Sequence, residues 1–255
     1  MDCRTPETTR GPHRQLARRF ARRVLNSPAV LELQEDAFHR RARLDDLHMR
    51  VLVSATLGPA DGAIDIGAHA GTFLDIVLAA APAGRHIAFE PLPEQARRLQ
   101  ADYPGVDVHE VALSDGTGHA QFLHVRENPG YSGLRRGSYP APYTPEPITV
   151  RRARLDDFVR DDDAPRLVKI DVEGAELEVL RGGARTLARH RPVIVFEHYA
   201  PHADAYGTRA VDLHALLVSE IGLRLFDIDG HGPLSATAMQ RIADQREVWS
   251  YIARP

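Results

Sequence analysis

The sequence is poorest in cysteine and lysine. Cys3 is the single cysteine among 255 residues. No internal disulfide can form, so a reducing compartment, the cytoplasm, is expected. Of the 32 basic residues, Lys169 alone is lysine. Such bias fits a GC-rich coding sequence, and a lone survivor marks either chance or a place where arginine does not fit. No apolar run approaches ~20 residues, so no spanning helix is expected. The N-terminus lacks the apolar core of a secretion signal. The net charge of −3 gives no general case for a nucleic-acid partner. Acids are nowhere dense; Asp161-Asp162-Asp163 reads as a solvated linker, because adjacent side chains cannot easily all turn to one ion.

What is present fits a globular α/β protein. With 43% hydrophobic and 26% charged residues, the length suits one large domain with an extension. We place a basic arm and helical extension at residues 1–57 and a ligand-binding domain at 58–255. From Arg10 to Arg23 there are six arginines and no acid, with Leu16, Phe20 and Leu25 able to share a helix face. Aromatics do not interleave the arginines, which favours a solvated helix on its own domain or on a second subunit. A homodimer therefore stays open, and a nucleic-acid or lipid-binding arm is the weaker reading. Residues 29–57 read as helix, with Leu44, Leu47, Val51 and Leu52 at helical spacing before Gly58-Pro59. Asp45, Asp46 and His48 are surface charges or line the ligand mouth.

The organising stretch runs from Ala63 to Leu74. A short apolar run, Ala63-Ile64-Asp65-Ile66, meets a turn with Gly67 and Gly71, then helical periodicity through Leu74, Val77 and Leu78. This is strand, tight turn, helix, with free N–H groups aimed at a ligand over the strand end. A dinucleotide fingerprint would read G-x-G-x-x-G. Here no Gly stands at position 69, and Asp65 would repel a pyrophosphate. The ligand is expected to be cationic or hydroxylated, as S-adenosylmethionine is. Glu90 follows a second strand, Arg85–Phe89, 19 residues after Gly71. An acid there can bind both ribose hydroxyls.

A third strand is expected over Val106–Val111 and a fourth over Ala120–Val125. Between them, Ser114-Asp115 either contacts an adenine amino group or forms an Asp-Gly turn. Residues 126–147 form a long loop with Tyr131, Ser132 and Arg135, suited to a polar acceptor such as a sugar, or simply mobile. Leu167–Ile170 reads as a buried strand ending in Asp171 and Glu173, with a helix from Gly174 to about Leu187. Pro192–Phe196 is another strand, ending in Glu197-His198-Tyr199. In open α/β sheets such ends face one crevice. Two final strands, Leu223–Ile228 and Glu247–Ile252, are expected as an antiparallel pair joined through a Gly-rich turn.

Asp65-Ile66-Gly67-Ala68-His69-Ala70-Gly71, Glu90-Pro91, Ala112-Leu113-Ser114-Asp115, Lys169 through Glu176, and Phe196-Glu197-His198 together resemble the FkbM family of S-adenosylmethionine-dependent methyltransferases. The Tyr131-Ser132-Gly133-Leu134 loop is similar to its bacterial members. The resemblance covers about residues 45–253. It implies a class I methyltransferase, Rossmann-like sheet of order 3-2-1-4-5-7-6 with the last strand antiparallel. It also implies O-methylation, often of sugar or polyketide hydroxyls, and names no acceptor.

Cofactor contacts are then expected from Asp65, Gly67, Ala68, His69, Gly71, Thr72, Glu90, Pro91, Ser114, Asp115 and Asp171. Acceptor contacts are expected from Tyr131, Ser132, Arg135, Lys169, Glu173 and Tyr199. His198 is the first candidate for general base, with Asp171 and Glu197 as alternatives. On that reading His198→Ala would cut turnover at least 10²-fold. Asp171 with Glu197 is also the pair that would hold Mg²⁺, a reading the sparse acids do not favour. The readings from other classes are a non-catalytic nucleoside-ligand module and an NAD-dependent oxidoreductase. A nucleic-acid methyltransferase is weaker, since Asp171-Val172-Glu173-Gly174 is not an Asn/Asp-Pro-Pro-Tyr stretch.

Overall fold

The computed structural model describes residues 28–137, 143–246 and 248–255, with the backbone alone for 28–38. The basic arm from Arg10 to Arg23 and Cys3 lie outside the described residues, as do the prolines of the long loop at 140 and 142. Two compact units, Met1–Leu47 and His48–Pro255, divide the chain. The boundary falls inside the first described helix, α1 (Pro28–Thr56). Among the described residues no helix is long and apolar enough to cross a membrane.

The second unit alternates strand and helix as the hydrophobic pattern requires. It runs β1 (Ala63–Ile66), α2 (Thr72–Ala80), β2 (His86–Phe89), α3 (Pro93–Asp102) and β3 (Val106–His109). Then come β4 (Ala112–Leu113), β5 (Gly118–His124), β6 (Glu146–Ala153) and β7 (Leu167–Ile170). The chain continues through α4 (Glu176–Gly182), α5 (Ala184–His190), β8 (Val193–Glu197), α6 (Ala200–Ala203) and α7 (Ala210–His214). It ends with β9 (Arg224–Asp227), α8 (Ala236–Gln245) and β10 (Ser250–Arg254).

Seven strands form the central sheet in the order β3-β2-β1-β7-β8-β10-β9. Numbered along the chain within this sheet, that is the expected 3-2-1-4-5-7-6. The first five strands are parallel, and β10 is antiparallel to both β8 and β9. Ile66, Ile170 and Phe196 are in register, so the three strands end side by side. The remaining strands form a separate sheet, β4-β6-β5.

Both faces of the central sheet are covered, which is why its strands read as continuous apolar runs. On one face Ala63, Leu167 and Val195 pack with Val53 and Leu57, and with Phe73 and Val77 of α2. On the other, Ile64, Ile66, Val168, Ile170, Ile194 and Phe196 pack under α4, α7 and α8. Pleat alternation then carries the first face from apolar to charged toward the strand ends: Ala63 to Asp65, Leu167 to Lys169, Val195 to Glu197.

Three expectations change. The single helix expected to Leu187 is two, α4 and α5, broken at Gly183. Just before the break the chain presses on the residue that follows β4: a Cβ at Gly182 would meet the Ser114 carbonyl oxygen at 2.1 Å. The last two strands are joined by more than a Gly-rich turn. That connection contains α8, whose N-terminus is capped by Ser235 Oγ accepting from Ala238 N–H at 3.2 Å. The long loop is also shorter than expected, because β6 begins at Glu146.

Candidate active site

The crevice lies at the ends of β2, β1, β7 and β8. Gly67 carries the chain out of β1 with φ 80°, a left-handed conformation costly for other residues. A Cβ there would stand 1.9 Å from the Asp171 carbonyl oxygen. The β1 and β7 ends therefore touch through backbone, and only glycine fits. Gly71 (φ 81°) precedes α2 and lies under Tyr103, whose hydroxyl donates to Asp75 Oδ1 at 2.9 Å. His69 and Thr72 are exposed and Ala68 is buried.

Glu90 ties this turn to the next. Its Oε2 accepts from His69 N–H at 2.8 Å and its Oε1 from Leu92 N–H at 2.9 Å. Burial pushes its carboxyl up to about 7, against those two hydrogen bonds. Pro91, half-buried, lies in that second turn.

Lys169 sits at the centre. Its Nζ is 3.5 Å from Asp65 Oδ1, 3.3 Å from Asp171 Oδ2 and 3.3 Å from the Gly67 carbonyl oxygen. Burial alone would lower its proton affinity, but Asp171, Asp65 and Glu197 hold the ammonium above its ordinary value. Asp65 Oδ2 is buried and has no hydrogen-bond partner among the described residues. Burial raises Asp65 despite the lysine. Glu173 and Glu197 are pushed well above the carboxylate range by burial and by the Asp171 charge. One lysine thus faces Asp65, Asp171 and Glu197, with Glu173 next to them.

Glu173 and Gly174 shape the end of β7. Glu173 has φ 55° and Gly174 φ 104°. A left-handed residue other than glycine costs on the order of 1–3 kcal/mol and persists only where its surroundings enforce it. Two things do so here. Glu176 Oε1 accepts from Gly174 N–H at 3.0 Å, with Val172 N–H at 3.4 Å. In addition, a Cβ on Gly174 would meet the His202 carbonyl oxygen at 2.6 Å, so α6 is pressed onto the turn. That contact brings His202 Nδ1 to 2.7 Å from Glu173 Oε2.

The first part of the long loop closes over this end. Leu123 and Gly133 exchange backbone hydrogen bonds of 2.8 and 3.1 Å. The Ser132 hydroxyl accepts from Val125 N–H at 3.0 Å, which commits it to the loop itself. Arg135 donates from Nη1 to the Ala205 carbonyl at 3.1 Å and from its backbone N–H to Tyr206 Oη at 3.0 Å. Its guanidinium covers the Tyr206 ring at 4.9 Å. Tyr131, half-buried, is raised by burial and by nearby Tyr143, Glu173 and Tyr199. Tyr199 meets the His202 ring edge-on at 4.9 Å.

The expected residues therefore divide. Asp65, Gly67, Lys169, Asp171 and Glu197 come together, and Tyr131, Glu173 and Tyr199 gather around His202. Ser114 Oγ donates to Glu178 Oε2 at 2.8 Å beneath α4, and Asp115 is exposed. His198 stands apart. The pleat puts Glu197 on the face of Lys169 and His198 on the opposite face with Phe196. His198 is 2% exposed, with Nδ1 lacking a hydrogen-bond partner among the described residues. Burial pushes it down to about 4, against the charges of Asp204 and Asp212. His48 Nδ1 lies 3.2 Å from Asp229 Oδ1. His202, Tyr206 and Glu178 were not legible in the sequence: each enters through a contact between segments 20 or more residues apart.

A family profile described as "Methyltransferase FkbM domain" matches residues 65–225. The chain is 31% identical over 159 residues to 2-O-methyltransferase NoeI of Sinorhizobium fredii, covering 56% of this chain and 65% of NoeI. It is 27% identical over 213 residues to AMB antimetabolite synthetase AmbE of Pseudomonas aeruginosa, covering 67% of this chain and 10% of AmbE. It thus spans less than two thirds of either curated relative. The methyltransferase FkbM structure from Methylobacillus flagellatus KT is similar at 18% identity and a TM-score of 0.48, over 77% of this chain and 44% of that one. With its profile matched from the first strand of the sheet to β9, the chain belongs to the FkbM methyltransferase family.

Proposed function

We propose that this chain is an S-adenosylmethionine-dependent O-methyltransferase acting on a hydroxyl of a sugar, glycoside or polyketide-type natural product. The observation that carries this is the row of Gly67, Asp171 and Glu197 at three adjacent strand ends, with Asp65 Oδ2, unpartnered among the described residues, below it. A buried carboxylate oxygen without a donor suits an ammonium group, and acids around one lysine suit a cation. A nicotinamide dinucleotide would bring its diphosphate against the same acids. The name of the relative NoeI, a 2-O-methyltransferase, supports oxygen as the acceptor atom.

S-adenosylmethionine, when bound, supplies a methyl group on a sulfonium that needs no further activation. The protein's task is to hold, align and deprotonate. Asp65 would accept from the methionine ammonium. Glu90 would use lone pairs left by the His69 and Leu92 amides for ribose hydroxyls. Gly67 lets the end of β1 close on the Asp171 backbone, and Asp115 would border the adenine end beside Ser114, whose hydroxyl is held by Glu178. Asp171 and Glu197 would accept from acceptor hydroxyls and fix their orientation. Alignment alone supplies up to roughly 7–11 kcal/mol in favourable intramolecular cases. Mg²⁺ is not favoured. The Lys169 ammonium already fills the gap between Asp65 and Asp171, and neither Asp171 nor Glu197 joins a three-ligand grouping among the described residues.

Calorimetric titration with S-adenosylhomocysteine, with and without EDTA, tests the reading. Micromolar binding in both buffers is expected, with NADH giving none. Absence of binding in both buffers would overturn the cofactor assignment, and loss with EDTA alone would restore the metal.

A further inference from the structure

We infer that His202, oriented by Glu173, takes the proton from the acceptor hydroxyl. The inference rests on the hydroxyl-methylating reading above and adds to it the group that acts as base. Three observations converge. Glu173 Oε2 holds His202 Nδ1 at 2.7 Å, the arrangement in which a carboxylate fixes an imidazole tautomer and stabilises the imidazolium. The contact is built in by the turn: Glu173 is held left-handed, and only a glycine at 174 lets the His202 backbone approach. The pair also lies where acceptor and cofactor sites meet. Asp171 and Lys169 act on Glu173 from one side. From the other, Gly133 of the loop packs on it, since a Cβ there would be 3.8 Å from Glu173 Cβ. Tyr131 and Tyr199 complete the surround.

The proton bookkeeping is direct. Nδ1–H stays on Glu173. The acceptor O–H gives its proton to Nε2 while the oxygen's electron pair forms the new C–O bond. The pair of the broken C–S bond stays on sulfur, and the imidazolium is held by the Glu173 carboxylate. His198, the histidine singled out by sequence, has the opposite environment: its Nδ1 has no partner among the described residues, and burial lowers its proton affinity.

The test uses the full chain with methyl-labelled S-adenosylmethionine and a panel of hexose and 6-deoxyhexose methyl glycosides. On any glycoside the wild type methylates, His202→Gln is expected to lose 10²–10⁴-fold in kcat. Glu173→Gln is expected to lose less and to move the acidic limb of the pH profile down toward the ordinary imidazole value of about 6.5. The charged and titratable groups facing the pair (Asp171, Lys169, Glu176, Glu197, Tyr131 and Tyr199) are intact in both variants. Both should bind S-adenosylhomocysteine within about threefold of wild type. A second readout needs no turnover: imidazole ¹⁵N spectra should show His202 protonated at Nδ1 in wild type, with that signal displaced in Glu173→Gln. Transfer by His202→Gln within threefold of wild type, or a His202 ring bare at Nδ1, would overturn the inference and leave the methyltransferase reading standing. Cofactor binding with no glycoside methylated would overturn the sugar-acceptor reading and this inference with it.

Discussion

The Lys169 ammonium stands 3.3 Å from Asp171 Oδ2, across the end of β7 from Asp65 at 3.5 Å. One cation therefore locks the side chains of β1 to the strand end that carries Asp171 and Glu173. Removing a partner from a buried ionic group costs about 3–5 kcal/mol, because the remaining charges lose their compensation. We predict that Lys169→Met lowers Tm by roughly 6–20 °C at 2–4 °C per kcal/mol and abolishes S-adenosylhomocysteine binding in calorimetry. A variant that keeps wild-type Tm and affinity would show the cluster to be dispensable.

Gly67→Ala should be more damaging than its one methyl suggests. The new Cβ would stand 1.9 Å from a backbone oxygen at a residue with positive φ. Neither backbone can give way without moving a strand end. The expected outcome is folded protein of lower Tm whose cofactor affinity falls at least tenfold. Unchanged affinity would mean that the turn has more room than this contact allows.

Glu176 gives a pH-dependent signature. Burial pushes its carboxyl up to about 7 from an ordinary 4.5. An acid raised in the folded state contributes stability below the unfolded value and loses it as pH rises through the folded one. For this group the window is about pH 4.5 to 7, and the loss is up to ~3 kcal/mol. Glu176→Gln removes that titration, so Tm of the variant minus Tm of wild type should grow between pH 5 and pH 8. His198, lowered to about 4, titrates with the opposite sign but is common to both proteins and cancels. A flat difference would contradict the buried, raised carboxyl.

His198→Ala separates the two histidines. Its ring is buried on the face away from Lys169, so truncation leaves a cavity and should cost on the order of 2 kcal/mol. Turnover on a methylated glycoside should stay within severalfold of wild type once the protein is kept below its lowered Tm. A loss of 10²-fold with stability intact would return the base to His198.

Much of the architecture was legible because it follows from local patterns. Short continuous apolar runs, glycine turns and helical periodicity indicated the alternation of strands and helices, and motif resemblance indicated the sheet order. The α4/α5 break was missed although Gly182-Gly183 offered a local signal, since two adjacent glycines weaken a helix interior. The helix between β9 and β10 was missed although Ser235 offered a capping signal.

The sequence by itself determined which residues stand at the strand ends, since strand length and the position of the first polar residue are local properties. That is why Asp65, Gly67, Glu90, Asp171 and Glu197 could be named. Only the tertiary structure decided what each one faces. Register across β1, β7 and β8 put one lysine among the acids, and pleat parity turned His198 away from them. Close backbone approach at Gly174 brought His202 to Glu173, and no local pattern encodes a contact between two turns that come together only when the sheet has closed.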